Sequence, residues 1–167
     1  MKSIKLIVPL IALSLLSLMQ SCSNPQRKIA GNYNYESECL GVELDGSQTL
    51  AVWGSGRNRA DAIEQAKKNG VRDVLFKGIR NGKSECNIKP VLSEVNVQEK
   101  NEDYFNKFFA DGGAYTQFIS NKDGSDLHIE VIKTRKKAGS QETYRVIIRV
   151  LRAELKAKMI EDKILPQ

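Results

Sequence analysis

Glycine-rich turns, histidine and cysteine are the residue types here that could carry chemistry, and their spacing decides which of them can. Trp53-Gly54-Ser55-Gly56-Arg57-Asn58-Arg59 stands between a short apolar run and an alanine-rich, helix-patterned one. Glycines so placed bring backbone N–H groups close to a phosphate at a helix N-terminus. The third glycine of a dinucleotide-binding fingerprint is missing, because position 59 is Arg, and the stretch holds no Lys-Ser or Lys-Thr pair. A tight strand-to-helix connection accounts for the same glycines. His128 is the single histidine, so neither a catalytic triad nor a three-histidine zinc site can be assembled. It alternates with Leu127 and Ile129, which turns it to the opposite face of a strand, toward solvent. Ser-Lys chemistry needs no histidine, but no spacing supports it. The expectation is a protein with no catalytic residue, no metal and no cofactor.

Cysteine is more informative. Lys2 and Lys5 precede Leu6 to Leu18, an uncharged run shorter than the about 20 residues a spanning helix needs. A polytopic membrane protein is excluded, and the pattern is that of a secretory leader. Its exit, Leu18-Met19-Gln20-Ser21-Cys22, resembles a bacterial lipobox, with an apolar residue at −4 and a small one at −1. That resemblance implies diacylglycerol on the Cys22 thiol, removal of the leader and acylation of the new amino terminus. Several chains hold where one would exchange, since each buried methylene contributes roughly 0.8 kcal/mol. The simpler alternative is a plain cleaved signal with an incidental cysteine. Ser23 and Asn24 follow Cys22, and the absence of Asp there implies, by the same resemblance, the outer membrane, with the domain facing periplasm or cell surface. Residues 1–21 are thus read as signal peptide, 22–28 as lipidated tether and 29–167 as one α+β domain.

Export puts Cys39 and Cys86 where disulfides persist, and with Cys22 modified they are the remaining thiols. A disulfide between them is the expectation, worth on the order of 4 kcal/mol on the chain-entropy model. Two separate reduced thiols are the alternative.

The elements that would position these residues follow from periodicity. Residues 29–45 read as an irregular lead-in with one strand, and 48–53 as a central strand, apolar on both parities and ended by Gly54-Ser55-Gly56. From Asn58 to Phe76, Ala62, Ile63, Ala66, Val71, Val74 and Leu75 recur at helical spacing, with Asn58 as N-cap, Asp61 in the first turn and Gly78 as stop. A turn-rich link, 79–84, leads to an edge or bent strand over 86–97, interrupted by Pro90. A short amphipathic helix over 102–111 carries Tyr104, Phe105, Phe108 and Phe109 and stops at Asp111-Gly112-Gly113. Strands are predicted over 115–121, 127–134 and 143–152, joined by turns at 121–124 and 137–140, before a final helix over 153–164. This describes a mostly antiparallel sheet with helices packed on one face.

Charge is uneven. The 26 basic and 20 acidic residues give +6, and loss of the leader removes two of the basic ones. Glu36, Glu38, Glu43 and Asp45 form an acidic patch, while Lys133, Arg135, Lys136, Lys137, Arg145, Arg149 and Arg152 gather on the last hairpin. The basic group is a candidate interaction face for anionic headgroups or an acidic partner. A solvated sheet face is the simpler explanation of the same residues. Nucleic acid is not expected as a partner, for want of a stacking platform and because of the compartment.

Thr49-Leu50-Ala51-Val52-Trp53-Gly54-Ser55-Gly56, followed by Arg59-Ala60-Asp61-Ala62-Ile63-Glu64-Gln65-Ala66, resembles the strand, Gly-x-Gly and Ala-rich helix of the LPP-type small bacterial outer-membrane lipoproteins and of the N-terminal domain of flagellar assembly protein T. The resemblance implies a dodecin-like β-α-β-β core, an envelope or assembly role and no catalytic residue. The expected function is a non-enzymatic, lipid-anchored cell-envelope protein acting as an assembly or protein-interaction module. Its partners would be membrane lipid, through acylated Cys22, and an envelope protein or a second copy. The alternative is a binding lipoprotein for a small ligand or glycan, held between the aromatic helix and the sheet by Tyr104, Phe108 and Trp53.

Overall fold

In the computed structural model, residues 36–86, 89–120 and 142–166 are described. The apolar alternation of the chain's two nine-residue strands organises them. Strand β1 (Glu38–Val42) pairs antiparallel with β2 (Gln48–Gly56), which pairs antiparallel with β5 (Glu142–Val150) over its whole length. Two-residue strands β3 (Asn81–Gly82) and β4 (Ile119–Ser120) complete the order β3-β1-β2-β5-β4. The sheet is mixed rather than mostly antiparallel, because β3 runs parallel to β1. A parallel neighbour needs a crossover, and here helix α1 and the link after it carry the chain over the sheet between β2 and β3.

Helix α1 (Arg59–Arg72) begins where the sequence indicates: Asn58 is extended, and its Oδ1 accepts the Asp61 N–H at 3.0 Å. Ala62, Ala66 and Gly70, spaced by four, lie buried along one line and face β2 and β5. Gly54 does not end β2 as expected but runs inside it, and Gly56 is its last residue. A Cβ on Gly54 would stand 2.1 Å from the Ala62 carbonyl oxygen and 2.3 Å from the Ala66 nitrogen. The glycines are therefore the floor on which the helix rests, and their lack of side chains sets how near it comes. Leu50, Val52, Val146, Ile148 and Val150 share that face of the sheet and form the core with Val71, Val74 and Leu75.

The last turn of α1 widens into a π turn, Asp73–Lys77, closed by the Gly78 N–H on the Asp73 carbonyl at 2.8 Å. Gly78 stops it at φ 72°, ψ 163°, a conformation open essentially to glycine. Among its described residues the segment predicted as a strand over 86–97 holds no strand. Ser84–Cys86 is a 3-10 turn, and the N–H groups of Val91 and Leu92 donate to the Val74 and Leu75 carbonyls at 3.0 and 2.8 Å. The helix end takes the donors a sheet ladder would need, and Pro90 has none to give.

Short helices α2 (Val97–Lys100) and α3 (Glu102–Phe108) follow, and Gly112 turns the chain at φ 66°. Most of the strand predicted over 115–121 is instead a 3-10 turn, Ala114–Phe118. Tyr115 and Phe118 are the buried members, and a spacing of three puts both on one side of a 3-10 turn, which a strand would not do. Helix α4 (Arg152–Glu161) closes the fold with Leu155 and Met159 fully buried. Among the described residues no helix is long and apolar enough to cross a membrane. Cys22, the leader, the tether and the predicted strand over 127–134 with its turns lie outside the described residues.

Candidate functional site

Cys39 of β1 and Cys86 of the 3-10 turn form a disulfide, with Cα atoms 5.8 Å apart and both residues buried. It closes a loop of 47 residues that contains β2, α1 and β3. Gly82 of β3, at φ 108°, lies so close to the Cys39 backbone that a Cβ would stand 2.1 Å from its carbonyl oxygen. β1 is thereby tied at two points to the link that follows α1.

Beside these ties lies a half-open hollow of about 460 Å³, lined by Glu36, Ser37, Asp73, Phe76, Lys77, Gly78, Ile79, Arg80 and Asn81. The π turn supplies Asp73, Phe76 and Lys77 to it together, and π turns inside α-helices recur at functional sites. Ser37 Oγ donates to Asp73 Oδ2 at 2.5 Å, and Lys77 Nζ stands 3.1 Å from Asp73 Oδ1. Asn81 donates its amide to the Glu36 carboxylate. Phe76 meets Phe105 edge-on, with ring centroids 5.0 Å apart, so its ring is fixed from behind. Arg80 is exposed and has no ion-pair partner among the described residues. Periodicity could not have located this hollow, since it depends on a π turn and a parallel two-residue strand.

The candidate interaction residues separate. Lys133, Arg135, Lys136 and Lys137 lie outside the described residues. Arg145 pairs with Glu38 at 2.8 Å, while Arg149 pairs with Asp45 at 2.7 Å and donates from Nε to Ser47 Oγ. The basic strand thus lies across part of the acidic patch, and antiparallel pairing through β2 brings the two together from 104 residues apart. The Ser47 hydroxyl and N–H, then Arg149, hold the Asp45 carboxyl well below the usual carboxylate range. Arg152 donates to the Lys89 carbonyl.

The aromatic residues form a packed cluster. Tyr104 and Phe108 stack at 5.8 Å, Phe108 and Phe118 at 5.9 Å, and Phe109 and Tyr115 at 5.9 Å. Phe105 and Phe108 are buried, the Tyr104 hydroxyl donates to Asp162 Oδ2 at 2.6 Å, and that of Tyr115 to the Glu64 carboxylate. Burial and the Asp162 hydrogen bond push the Tyr104 phenol up, and the same bond, with Lys158, draws the Asp162 carboxyl down. Trp53 does not join this cluster: its neighbours Val52 and Gly54 face α1, so the pleat turns Trp53 to the other side of the sheet. Asn69 Nδ2 donates to the Trp53 carbonyl at 2.8 Å, tying the last turn of α1 to β2, and Gly54 and Gly56 are paired with β5 in the sheet rather than forming a phosphate-binding loop. No group of three or more potential metal ligands occurs among the described residues. No family model matches the sequence, and no curated protein or solved structure matches it.

Proposed function

We propose that this chain is a non-enzymatic, lipid-anchored protein of the bacterial outer membrane, an assembly or protein-interaction module held by acylated Cys22. The buried Cys39–Cys86 disulfide carries the reading, because such bonds persist in oxidising compartments outside the cytosol. It agrees with a signal peptide over residues 1–21, which is part of the same proposal. The aromatic helix spends its rings on the domain's own core, which leaves surface as what the domain offers. The basic residues Lys133, Arg135, Lys136 and Lys137 are its proposed contact with an envelope protein or a second copy, since Arg145 and Arg149 have acidic partners within the fold. A dodecin-like core, as in the LPP-type lipoproteins, is part of the same proposal; β2, α1 and β5 are the elements it would rest on.

Detergent-phase partitioning and the intact mass of the protein from expressing cells test the anchor. The expected result is entry into the detergent phase with an acylated Cys22, both lost in Cys22→Ala. A freely soluble product with an unmodified Cys22 thiol overturns the reading. Crosslinking in intact cells then tests the contact: reversing Lys133, Arg135, Lys136 and Lys137 to Glu should abolish the crosslinked species. A second reading, a lipoprotein that binds a small ligand, is favoured by one observation, the hollow beside the π turn.

A further inference from the structure

The hollow at the end of α1 has an uneven hydrogen-bond account. Its two carboxylates are occupied: Asp73 accepts from Ser37 and pairs with Lys77, and Glu36 accepts from Asn81. Among the described residues none accepts from the Arg80 guanidinium, a five-donor group, and the Lys77 ammonium, whose side chain is 78% exposed, keeps the donors not turned to Asp73. The unspent capacity is therefore cationic and donating, next to the fixed ring of Phe76. The backbone behind it is restrained by the Gly78 N–H bond to the Asp73 carbonyl, by the pairing of β3 with β1 and by the disulfide, so little ordering remains to be done on binding. A helix C-terminus ordinarily repels anions, but here Val91 and Leu92 cap the Val74 and Leu75 carbonyls and Gly78 caps that of Asp73.

We propose that this hollow binds a small organic carboxylate, with Arg80 gripping the carboxylate bidentately, Lys77 assisting and Phe76 covering the apolar body. Glu36, Asp73, Lys77 and Arg80 sum to zero charge. A monoanion therefore meets less repulsion from Glu36 and Asp73 than a phosphate dianion does. The hollow's size suits a ligand of one or two rings. The proposal deepens the ligand-binding reading and is independent of the lipid anchor. A chain that partitions into detergent yet ignores carboxylates overturns this proposal alone.

The test titrates the full chain, 15N-labelled and disulfide-intact in mild detergent, with benzoate, with neutral benzamide and with inorganic phosphate. Saturable shifts at the Gly78 and Asn81 amides with benzoate, at a dissociation constant of about 1 mM, are expected. Benzamide and phosphate should bind at least roughly tenfold more weakly, and Arg80→Gln should weaken benzoate by roughly tenfold or more. Lys77 and Arg80 would also complement the helix dipole, so melting temperature is followed in parallel and should scarcely move in Arg80→Gln. Unsaturable benzoate shifts, equal binding of benzamide or phosphate, or unchanged affinity in Arg80→Gln would each overturn the proposal.

Discussion

Replacing Gly54 with alanine should be among the most damaging single-methyl changes available to this fold. The new Cβ would stand 2.1 Å from the Ala62 carbonyl oxygen, 2.3 Å from the Ala66 nitrogen and 2.8 Å from the Ala66 Cα. All three are backbone atoms of α1, so no rotamer change relieves the overlap. Restoring ordinary contact at 3.4 Å requires the helix to retreat by at least about 1.3 Å, and a gap of only about 1 Å already forfeits a quarter to a half of the dispersion between facing atoms. Ala66 and Val71 would lose contact with Leu50, Val52 and Ile148 together. The loss is expected at about 3 kcal/mol, the upper part of the range for overpacking. In urea, with a slope of about 2 kcal/mol/M, the midpoint falls by about 1.5 M. Gly70→Ala is the control. Its Cβ would approach Ile148 Cδ1 at 2.4 Å and Val52 Cγ1 at 3.0 Å, both ends of side chains, and alanine regains about 1 kcal/mol of helix propensity. That variant should stay within about 1 kcal/mol of the parent. A Gly54→Ala loss below about 1 kcal/mol, or an equal loss in Gly70→Ala, refutes the argument that backbone-to-backbone contact holds helix and sheet together.

Three other outcomes follow from the same structure. Cys39→Ala with Cys86→Ala should lower unfolding free energy by about 4 kcal/mol, from the 47-residue loop that the disulfide closes, read as the urea midpoint against the oxidised parent. Asn58→Ala should cost about 1 kcal/mol, measured the same way, because the Asp61 N–H loses its acceptor. Asp45 has a lowered folded pKa, so its contribution is fully present above the unfolded value of about 4 and disappears as pH falls toward the folded one. Stability curves at pH 6 and pH 2.5 should therefore differ less in Asp45→Asn than in the parent.

The chain's local chemistry was legible where one stretch answered its own question. Asn58, Asp61 and Gly78 bound helix α1 because capping and a positive φ are decided within a few residues. The alternation from Tyr144 to Val150 identifies β5, and Cys39 with Cys86 were left as the natural disulfide pair once export was read. Tertiary structure decided what depends on distant partners. Gly54 and Gly56 look like strand breakers, yet they extend β2, because β5 satisfies their backbone and α1 needs the space above them. Val91 and Leu92, next to Pro90, look like part of a strand, yet their N–H groups go to the open end of a helix. Arg145 and Arg149 read as part of a free basic face until the sheet brings Glu38 and Asp45 to them. Periodicity reports which face of an element is apolar; which neighbour meets it, and which charges are neutralised there, is set by contacts between segments far apart in the chain.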